Sequence, residues 1–414
     1  MAEPRRPSLG AIFLTVVLDL LGFGLVIPFL AEEARSGFHT SAFVGALLGA
    51  SYSAMQFFFV PVWGRLSDRI GRRPVLVWSV LASGLSMLGL GLALAYGQSV
   101  AWLFAARIFG GIATANLGTA SAYIADITKP EDRARGMGML GMAFGIGFIL
   151  GPGVGGVLAK ITVNGRVGVV PCFVAAALSA INFAWVYLGL PESLTAERRA
   201  TALPLAKRSI APIDMRKAGS AFQDPSLARA VLVNFLIIVA FTNLDQTFRY
   251  LNKDAFAMDE LDTGLLLAFI GVVAAGVQGG LIRPLTKRYP EAPLVRIGTL
   301  IQGIAFVCVA LSPGHGRGLL YVGSALLAVG NGITQPTVSA FVSKRASARE
   351  QGAVLGTNQS FAALARVIGP TLGGFVYQHL GMRAPYFAGA IGMAVALVVA
   401  LPLGREAPSP ATSG

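Results

Sequence analysis

Charged residues are scarce in this sequence. They make up 13% of its 414 residues, whereas hydrophobic residues make up 54%. A soluble globular domain carries about 25% charged residues, so the composition argues against a soluble protein. The mean hydropathy is +0.67. A chain of this length holds roughly twelve membrane spans of about 20 residues with short loops.

Cysteine and histidine are scarce as well. The two cysteines, Cys172 and Cys308, each lie in an apolar run, and their separation excludes both a disulfide framework and a zinc-type ligand spacing. The three histidines, His39, His315 and His379, lie near expected helix ends and far apart in sequence. No phosphate-binding loop is present. These absences argue against a membrane enzyme, and we expect neither a cofactor nor a metal.

Twelve apolar runs have the length of membrane spans. We therefore predict an all-α membrane protein with twelve transmembrane helices in two six-helix repeats. The predicted domains are residues 1–190, an N-terminal six-helix bundle, and 228–414, a C-terminal one. Residues 191–227 join them as a basic cytoplasmic linker, with room for a helix that lies on the membrane surface. The predicted spans are 9–31, 42–63, 75–96, 100–125, 136–159, 167–190, 228–251, 262–282, 293–312, 318–343, 352–378 and 384–403.

The net charge of +13 has an uneven distribution along the chain. If the first residues are cytoplasmic, 24 Lys and Arg lie on cytoplasmic segments, 7 on outer segments and 2 inside helices. This asymmetry follows the positive-inside rule. Topology alone explains the basic charge, so we expect a lipid bilayer and no nucleic acid as partner. Both termini are predicted to be cytoplasmic, in a bacterial inner or plasma membrane.

Two motifs recur at a constant offset. Residues 151–156 read GPGVGG and recur as GPTLGG at 369–374, and residues 120–125 recur in related form at 338–343. Both offsets are 218 residues. An ancestral duplication of a six-helix unit accounts for them. Repeats of this kind place a substrate site near the membrane midplane, between the halves, and a channel has no need of them.

The stretch Gly64–Pro74 reads GRLSDRIGRRP and places five charges between two apolar runs. We predict a short cytoplasmic loop that joins two spans into a hairpin. Its order of glycines, acid and arginines resembles the loop signature of the major facilitator superfamily of transporters. The gating-loop residues that this resemblance implies are Gly64, Asp68, Arg69, Gly71, Arg72 and Arg73.

Three further stretches extend the resemblance over nearly the whole chain. Leu18–Pro28 reads LDLLGFGLVIP, and with Arg107–Thr128 it resembles the tetracycline-exporter-like drug/proton antiporter group. The glycine-rich fifth span is similar to the antiporter signature through Gly147, Gly151, Pro152, Gly155 and Gly156. Small residues at this spacing let two helices pack closely, even without antiport.

The resemblance implies a secondary active transporter. It favours a proton-coupled antiporter that exports a small amphipathic drug-like molecule or metabolite by alternating access, with small-molecule substrate and protons as partners. We expect a monomer. The third span lacks a carboxylate, the eighth a histidine and the ninth an aspartate, which argues against tetracycline itself. A proton-coupled symporter or facilitator for a small nutrient is the alternative.

Three charged residues inside spans are predicted to carry proton coupling. Asp19 is taken as the only acid in the interior of the first six spans, and a carboxylate there marks an ion pathway more often than a structural pair. Arg107 is its expected partner, in either a coupling or a structural role. Asp245 has Arg249 four residues later, so a helix-surface pair and a second protonatable or cation-binding site remain equally open.

Polar residues at mid-helix depth are predicted to line the substrate cavity. Arg366 in the eleventh span either binds an anionic substrate group or snorkels from the cavity wall. Asp68 is predicted to pair with neighbouring arginines and to close the cytoplasmic side. The predicted cavity residues are Gln56, Asn116, Asn243, Gln246, Asn331, Gln335, Asn358, Gln359 and Arg366.

Overall fold

The computed structural model describes residues 8–97, 99–114, 116–128, 133–194, 224–345 and 351–404. Over these ranges the chain is almost entirely helical, with one isolated bridge, between Val163 and Arg166. The prediction of an all-α protein is confirmed. Most of the predicted linker, residues 191–227, lies outside the described part of the chain, and so does the predicted surface helix within it.

Helices fill the N-terminal part of the chain with short interruptions. Their order is α1 Leu9–Leu25, α2 Leu30–Glu32 with a π-helical turn at Glu33–Gly37, α3 Ala42–Ile70, α4 Arg72–Tyr96, α5 Val100–Ala113, α6 Asn116–Ile127, α7 Arg133–Ala159 and α8 Val169–Gly189.

The C-terminal part continues in the same way. Its helices are α9 Pro225–Phe256, α10 Glu260–Gly276 with a π-helical turn at Val277–Leu281, α11 Ile282–Arg288, α12 Glu291–His315, α13 Arg317–Arg345, α14 Gln351–Leu380 and α15 Ala384–Ala400. Each of the twelve predicted spans coincides with helix.

Eight helical segments in the described ranges are long and apolar enough to cross a membrane. Two further apolar helices are shorter, Gly145–Ala159 and Ala384–Ala400. The number twelve therefore stays a prediction. The eight segments are Leu9–Gly37, Ala42–Val60, Arg72–Tyr96, Val100–Ile127, Val169–Gly189, Pro225–Leu244, Glu260–Arg288 and Glu291–His315.

The prediction of a loop at Gly64–Pro74 is wrong in its extent. Helix α3 continues to Ile70 and α4 begins at Arg72, so Asp68 lies in a helix rather than in a loop. Only Gly71 leaves the helical conformation, with φ of 110° and ψ of 158°. Glycine adopts such a φ without steric cost, whereas nothing from Gly64 to Ile70 forces the helix to end.

The first predicted span also differs from the structure. Helix α1 ends at Leu25, and after a turn that contains Pro28 the chain resumes as α2 and its π-helical turn. The prediction that Asp19 is the only interior acid here is wrong, because Glu32 is 2% and Glu33 7% exposed. Both acids follow the last apolar residue of the run, so the sequence places them in an outer loop.

Arginines accompany both of these buried acids. Arg35 Nε lies 2.9 Å from Glu32 Oε2, and Arg166 lies 3.6 Å from Glu33 Oε1. The Arg166 guanidinium also lies over the Phe38 ring at 4.4 Å from its centre and donates to the carbonyl of Gly37. Partners of opposite charge offset much of the cost of burying these carboxylates.

Contacts between Cα atoms group the described residues into two units. The first falls within Met1–Thr40, Ser51–Pro212 and Asp259–Ala268. In it α1 packs against α7 and α8, and α4 against α5 and α8. One apolar cluster in this unit joins α1, α4, α6, α7 and α8. Its buried members are Ile12, Val16, Leu20, Leu76, Ala120, Tyr123, Ile124, Ala143, Val186 and Leu190.

The second unit falls within Ser41–Ala50, Ile213–Met258 and Phe269–Gly414. In it α9 packs against α14 and α15, and α12 against α13 and α15. Each unit therefore includes ten residues from a helix that otherwise belongs to the other. These two ranges, Ser41–Ala50 and Asp259–Ala268, differ by the same 218 residues as the repeated motifs.

Candidate functional site

Asp19 lies on α1, half-buried inside the first unit. The hydroxyl of Ser83, on α4, donates to its Oδ1 at 3.3 Å. A cavity of about 10 Å³, measured for the centre of a water-sized sphere, lies beside it. Such a volume holds about one water molecule. The cavity is lined by Asp19, Gly22, Phe23, Tyr52, Ser83, Met87, Thr114 and Ser179.

Arg107 lies on α5 and is 5% exposed. Its guanidinium carbon is 4.1 Å from the centre of the Tyr52 ring and 5.8 Å from that of Phe23. The two rings stack at 5.3 Å between centres. Phe23 is one helical turn after Asp19 on α1. The structure therefore places Asp19 and Arg107 around the same pair of aromatic rings.

Sequence analysis missed Tyr52 as a site residue. An aromatic side chain in an apolar run carries no pattern that separates a site residue from one that faces lipid. The signal that was available is the pair Gly110 and Gly111. A Cβ atom on Gly111 would lie 2.3 Å from the Tyr52 carbonyl oxygen, so glycine there lets α3 approach α5.

The predicted fourth span is interrupted beside this cavity. Helix α5 ends at Ala113, and Thr114 caps it with φ of −88° and ψ of 23°. Side chains of neighbouring helices donate to three carbonyls at the interruption. Trp63 Nε1 donates to Ile112 at 2.5 Å, Ser79 Oγ to Ala113 at 2.6 Å, and Gln56 Nε2 to Thr114 at 3.5 Å. Non-helical backbone at membrane depth persists only where protein or a cavity satisfies it.

Charged side chains form a network at the junction of α3 and α4. Arg72 is buried, and its NH1 lies 2.5 Å from Asp68 Oδ1 and 2.6 Å from Ser67 Oγ. Its Nε donates to Asp126 Oδ2, at the end of α6, at 3.2 Å. The side chain of Asp68 is 46% exposed and that of Asp126 11%. Asp126 is therefore the more buried of the two acids that Arg72 bonds.

Glu192, just after α8, caps the N-terminus of α4. Its two carboxylate oxygens accept from the backbone N–H groups of Arg72 at 2.9 Å and Arg73 at 3.1 Å. Arg73 in turn donates to the carbonyl of Tyr187 at 2.6 Å. An acid at a helix N-terminus satisfies free N–H groups and complements the helix dipole. Of the other predicted gating residues, Gly64 has open space around it and Arg69 is exposed.

The glycines predicted on the fifth span lie on α7 and face two helices. Gly147, Gly151 and Gly155 face α1, where a Cβ atom on Gly155 would lie 2.2 Å from the Leu25 carbonyl oxygen. Gly156 faces the first turns of α10, where the same test gives 3.2 Å to the Cα atom of Gly264. Pro152 lies between these two faces, and a Cβ atom on Gly264 would lie 2.4 Å from its carbonyl oxygen.

The predicted cavity residues separate between the units. Gln56 belongs to the first, beside Tyr52 and Thr114. In the second, Asn243 is buried and donates to the Pro385 carbonyl at 2.7 Å, and Asn358 accepts from Asn234 at 3.0 Å. Gln246, Asn331 and Gln335 are half-buried, while Gln359 and Arg366 are exposed. The side chains of Asn116 and Asp245 lie outside the described part. None of these positions is brought to the Asp19 cavity except that of Gln56.

The carboxylates of this site are spaced for charge pairing rather than for metal ligation. Within the described ranges, no three His, Cys, Asp or Glu side chains are grouped so as to hold a metal ion. The polar chemistry on the page is that of a single half-buried acid, a buried arginine and a cavity that admits water.

Comparisons with known proteins fit this geometry. The sequence profile of the Major Facilitator Superfamily matches residues 12–368 and 252–414. The class C tetracycline resistance protein of Escherichia coli is 32% identical over 404 residues, 96% of this chain and 97% of that protein. Major facilitator superfamily domain-containing protein 10 of Homo sapiens is 30% identical over 426 residues, 92% of this chain and 90% of that protein.

A solved structure agrees with the sequence relatives. The crystal structure of the human organic anion transporter MFSD10 (TETRAN) matches this chain with a TM-score of 0.68 and 26% identity, covering 95% of this chain and 98% of that one. Apolar helices of spanning length around an interior acid and arginine, with these relatives, define a multi-pass membrane transporter. The chain belongs to the Major Facilitator Superfamily, and its resemblance to the tetracycline-exporter group is confirmed. Members of this family are transporters and not enzymes.

Proposed function

We propose that this protein is a proton-coupled antiporter that exports a small amphipathic molecule by alternating access. Asp19 is the proton carrier and Arg107 its charge partner. The observation that carries the proposal is the cavity beside Asp19, bounded by the same Tyr52 ring on which the buried Arg107 guanidinium lies. An interior acid that water reaches is the chemistry that a proton carrier requires.

The proposed architecture has twelve spans in two six-helix repeats, with domains 1–190 and 228–414 and both termini in the cytoplasm. Equivalent contacts in the two units support it. In the first unit Gly156 packs against Gly264, and in the second Gly374 packs against Ala46, where an added Cβ atom would lie 2.4 Å from the Ala46 Cβ. Both members of the pair are offset by 218 residues.

The transport cycle follows from the electrostatics of one site. When the cavity opens outward, a proton binds Asp19 and weakens its attraction to Arg107. When the cavity opens inward, arrival of the substrate favours release of that proton, which completes the exchange. Asp245 is proposed as a second protonatable position, on the evidence of its place within α9.

Closure of the cytoplasmic side is assigned to the junction of α3 and α4. Asp68 bonds Arg72 and remains half exposed, so part of its carboxylate is available to a further partner in one conformer. We assign Gly64, Arg69, Gly71 and Arg73 to the same gate. The polar positions from Gln56 to Arg366 remain proposed contacts of the substrate.

Organic-anion transport is a second candidate. The human relative is named an organic anion transporter, and Arg107 places a buried cation in the first unit. A buried guanidinium favours carboxylate or sulfonate groups, since it presents donors in a fixed planar fork. In this case the substrate anion takes the place of ionised Asp19 beside Arg107.

A screen of substrates tests both candidates. Efflux of amphipathic cations, neutral drugs and organic anions is measured from cells that express the protein, with and without a protonophore. The antiport proposal predicts export of at least one compound, abolished by the protonophore. Export that is insensitive to the protonophore, or proton-driven uptake instead of export, would contradict it.

A further inference from the structure

We propose that Tyr52 is the positioning residue of the proton site: its ring holds the Arg107 guanidinium beside Asp19, and its hydroxyl anchors the ring to the interruption of the fourth span at Thr114. This inference rests on the proposed role of Asp19 and adds to it the residue that sets how readily Asp19 is protonated.

The hydroxyl group of Tyr52 has one consistent hydrogen-bond assignment. Thr114 Oγ1 donates to the Gly110 carbonyl at 2.8 Å, which uses its only proton. Tyr52 must therefore donate in the 2.6 Å bond that joins its hydroxyl to Thr114 Oγ1. Gln56 Nε2 lies 3.3 Å from the Tyr52 oxygen and donates to it. Since the hydroxyl is engaged as donor and as acceptor, the ring is held in one orientation.

The anchor itself is fixed by its neighbours. Thr114 closes α5, and the three carbonyls there accept from Trp63, Ser79 and Gln56. Two of these donors, on α3, come from the same helix as Tyr52. A buried network in which each donor and acceptor is matched is rigid, because moving one member leaves others unsatisfied. Interrupted helices are also where membrane transporters place their ligand sites.

The ring of Tyr52 then acts on charge. Arg107 lies over its face at 4.1 Å, within the range of a cation–π interaction. The same ring lines the cavity beside Asp19. The titratable side chains described around Asp19 are Arg107 of α5 and Tyr52 of α3, with Cys172 of α8 near Arg107. Helix α4 contributes Ser83, which is neutral.

The consequence concerns the proton affinity of Asp19. A cation held nearby favours the ionised carboxylate. If the Tyr52 ring is removed, Arg107 loses its support and the cavity enlarges. Asp19 then retains its proton to a higher pH. A purely structural role for Tyr52 predicts lower stability with no change in that pH.

The test uses purified protein and a hydrophobic carbodiimide, which modifies protonated carboxyl groups at membrane depth. Peptide mass spectrometry follows modification of Asp19 as a function of pH. Tyr52→Phe keeps the ring, and Tyr52→Leu removes both ring and hydroxyl. Tyr123→Leu is the matched control, since Tyr123 is equally buried and its hydroxyl bonds the distant Pro191 carbonyl at 2.9 Å.

We expect the midpoint of Asp19 modification to rise by about one pH unit or more in Tyr52→Leu, the size of shift that a neighbouring cation produces. Tyr52→Phe should move it by less than half as much, and Tyr123→Leu should leave it unchanged. If Tyr52→Leu fails to fold, Tyr52→Met fills a similar volume without an aromatic face and should give the same shift.

An unchanged midpoint in Tyr52→Leu or Tyr52→Met overturns the inference. Transport by Asp19→Asn separates this failure from that of the proposed function. If Asp19→Asn loses proton-driven export and the Tyr52 variants leave the midpoint unchanged, only the positioning role fails. If Asp19→Asn still exports against a gradient while the Tyr52 variants shift the midpoint, the positioning role stands and Asp19 is not the carrier.

Discussion

Gly151 on α7 and Gly24 on α1 meet backbone to backbone. A Cβ atom added to Gly151 would lie 2.6 Å from the Cα atom of Gly24, and one added to Gly24 would lie 2.9 Å from that of Gly151. No side chain fits between the two helices at this point. Since α1 also carries Asp19, the glycines of α7 determine how closely the proton site is packed against the rest of its unit.

We predict that Gly151→Ala destabilises the protein by about 1–3 kcal/mol, because an added methyl group must displace backbone rather than a flexible side chain. Thermal unfolding of the detergent-purified protein measures this. Gly145→Ala is the matched control on the same helix, since nothing lies within 4 Å of the Cβ atom it would add. Equal melting temperatures for the two variants would contradict the close packing.

The two acids that bond Arg72 should differ in their effect on stability. Asp126→Asn leaves a buried guanidinium without its buried partner, a change that typically costs about 3–5 kcal/mol. Asp68→Asn removes a half-exposed partner and should cost no more than about 1 kcal/mol. Chemical or thermal unfolding of the two variants compares them directly, and a larger loss for Asp68→Asn would show that the burial argument is wrong.

Transport should show the reverse order for Asp68. We expect Asp68→Asn to express well and yet to transport poorly, because the lost charge destabilises one conformer rather than the fold. Cysteine accessibility probes should shift toward the inward-open form. Normal transport with unchanged accessibility would reduce Asp68 to part of a topological anchor.

Much of the helical architecture follows from the sequence, since an apolar run of spanning length has few alternatives to helix. Where the helices end was harder to predict. Charges at 65–73 indicated a loop, yet the helix continues to Ile70, because the ends of membrane helices project beyond the hydrocarbon and charge alone does not stop a helix. Only the positive φ of Gly71 does so.

The site was predictable only in its charges. Asp19 and Arg107 are recognisable because charge is costly within an apolar run. Glu32 and Glu33 were missed, since their burial depends on Arg35 and on Arg166, more than a hundred residues away. Tyr52 and Thr114 were missed for a related reason: their roles come from a helix interruption, and no glycine or proline marks it between Ala113 and Thr114.

The arginine beside Glu33 offers a test of the buried acids. Arg166→Gln should destabilise the protein by about 2–4 kcal/mol, because it leaves a buried carboxylate without its cation. Adding Glu33→Gln should recover part of that loss, since the charge that needed a partner is gone. A double-mutant cycle on unfolding free energies measures the coupling. Strict additivity of the two changes would contradict the pair.

The proposed topology can be tested by cysteine labelling in a background that lacks Cys172 and Cys308. A cysteine at Ser36, which is exposed, should react with an impermeant reagent from outside the cell. A cysteine at Arg69, also exposed, should not. Ser67 is unsuitable for this purpose, because it is 0% exposed and silent from either side. Reaction of the Arg69 cysteine from outside would invert the topology.

The double variant Asp19→Asn with Arg107→Gln separates a proton carrier from a structural ion pair. If the two residues form only a structural pair, the single variant should express poorly and the double variant should recover both folding and transport. If Asp19 carries the proton, the double variant should remain unable to couple transport to a proton gradient, whatever its stability. Expression and transport are measured on the same preparations.

The most direct test of proton coupling is uphill transport by Asp19→Asn in reconstituted vesicles with an imposed pH gradient. A substrate from the efflux screen is supplied at equal concentration on both sides. We predict that the wild type accumulates it against its gradient, whereas well-folded Asp19→Asn binds it and does not accumulate it. Proton-driven accumulation by Asp19→Asn would contradict the account and would transfer the carrier role to Asp245.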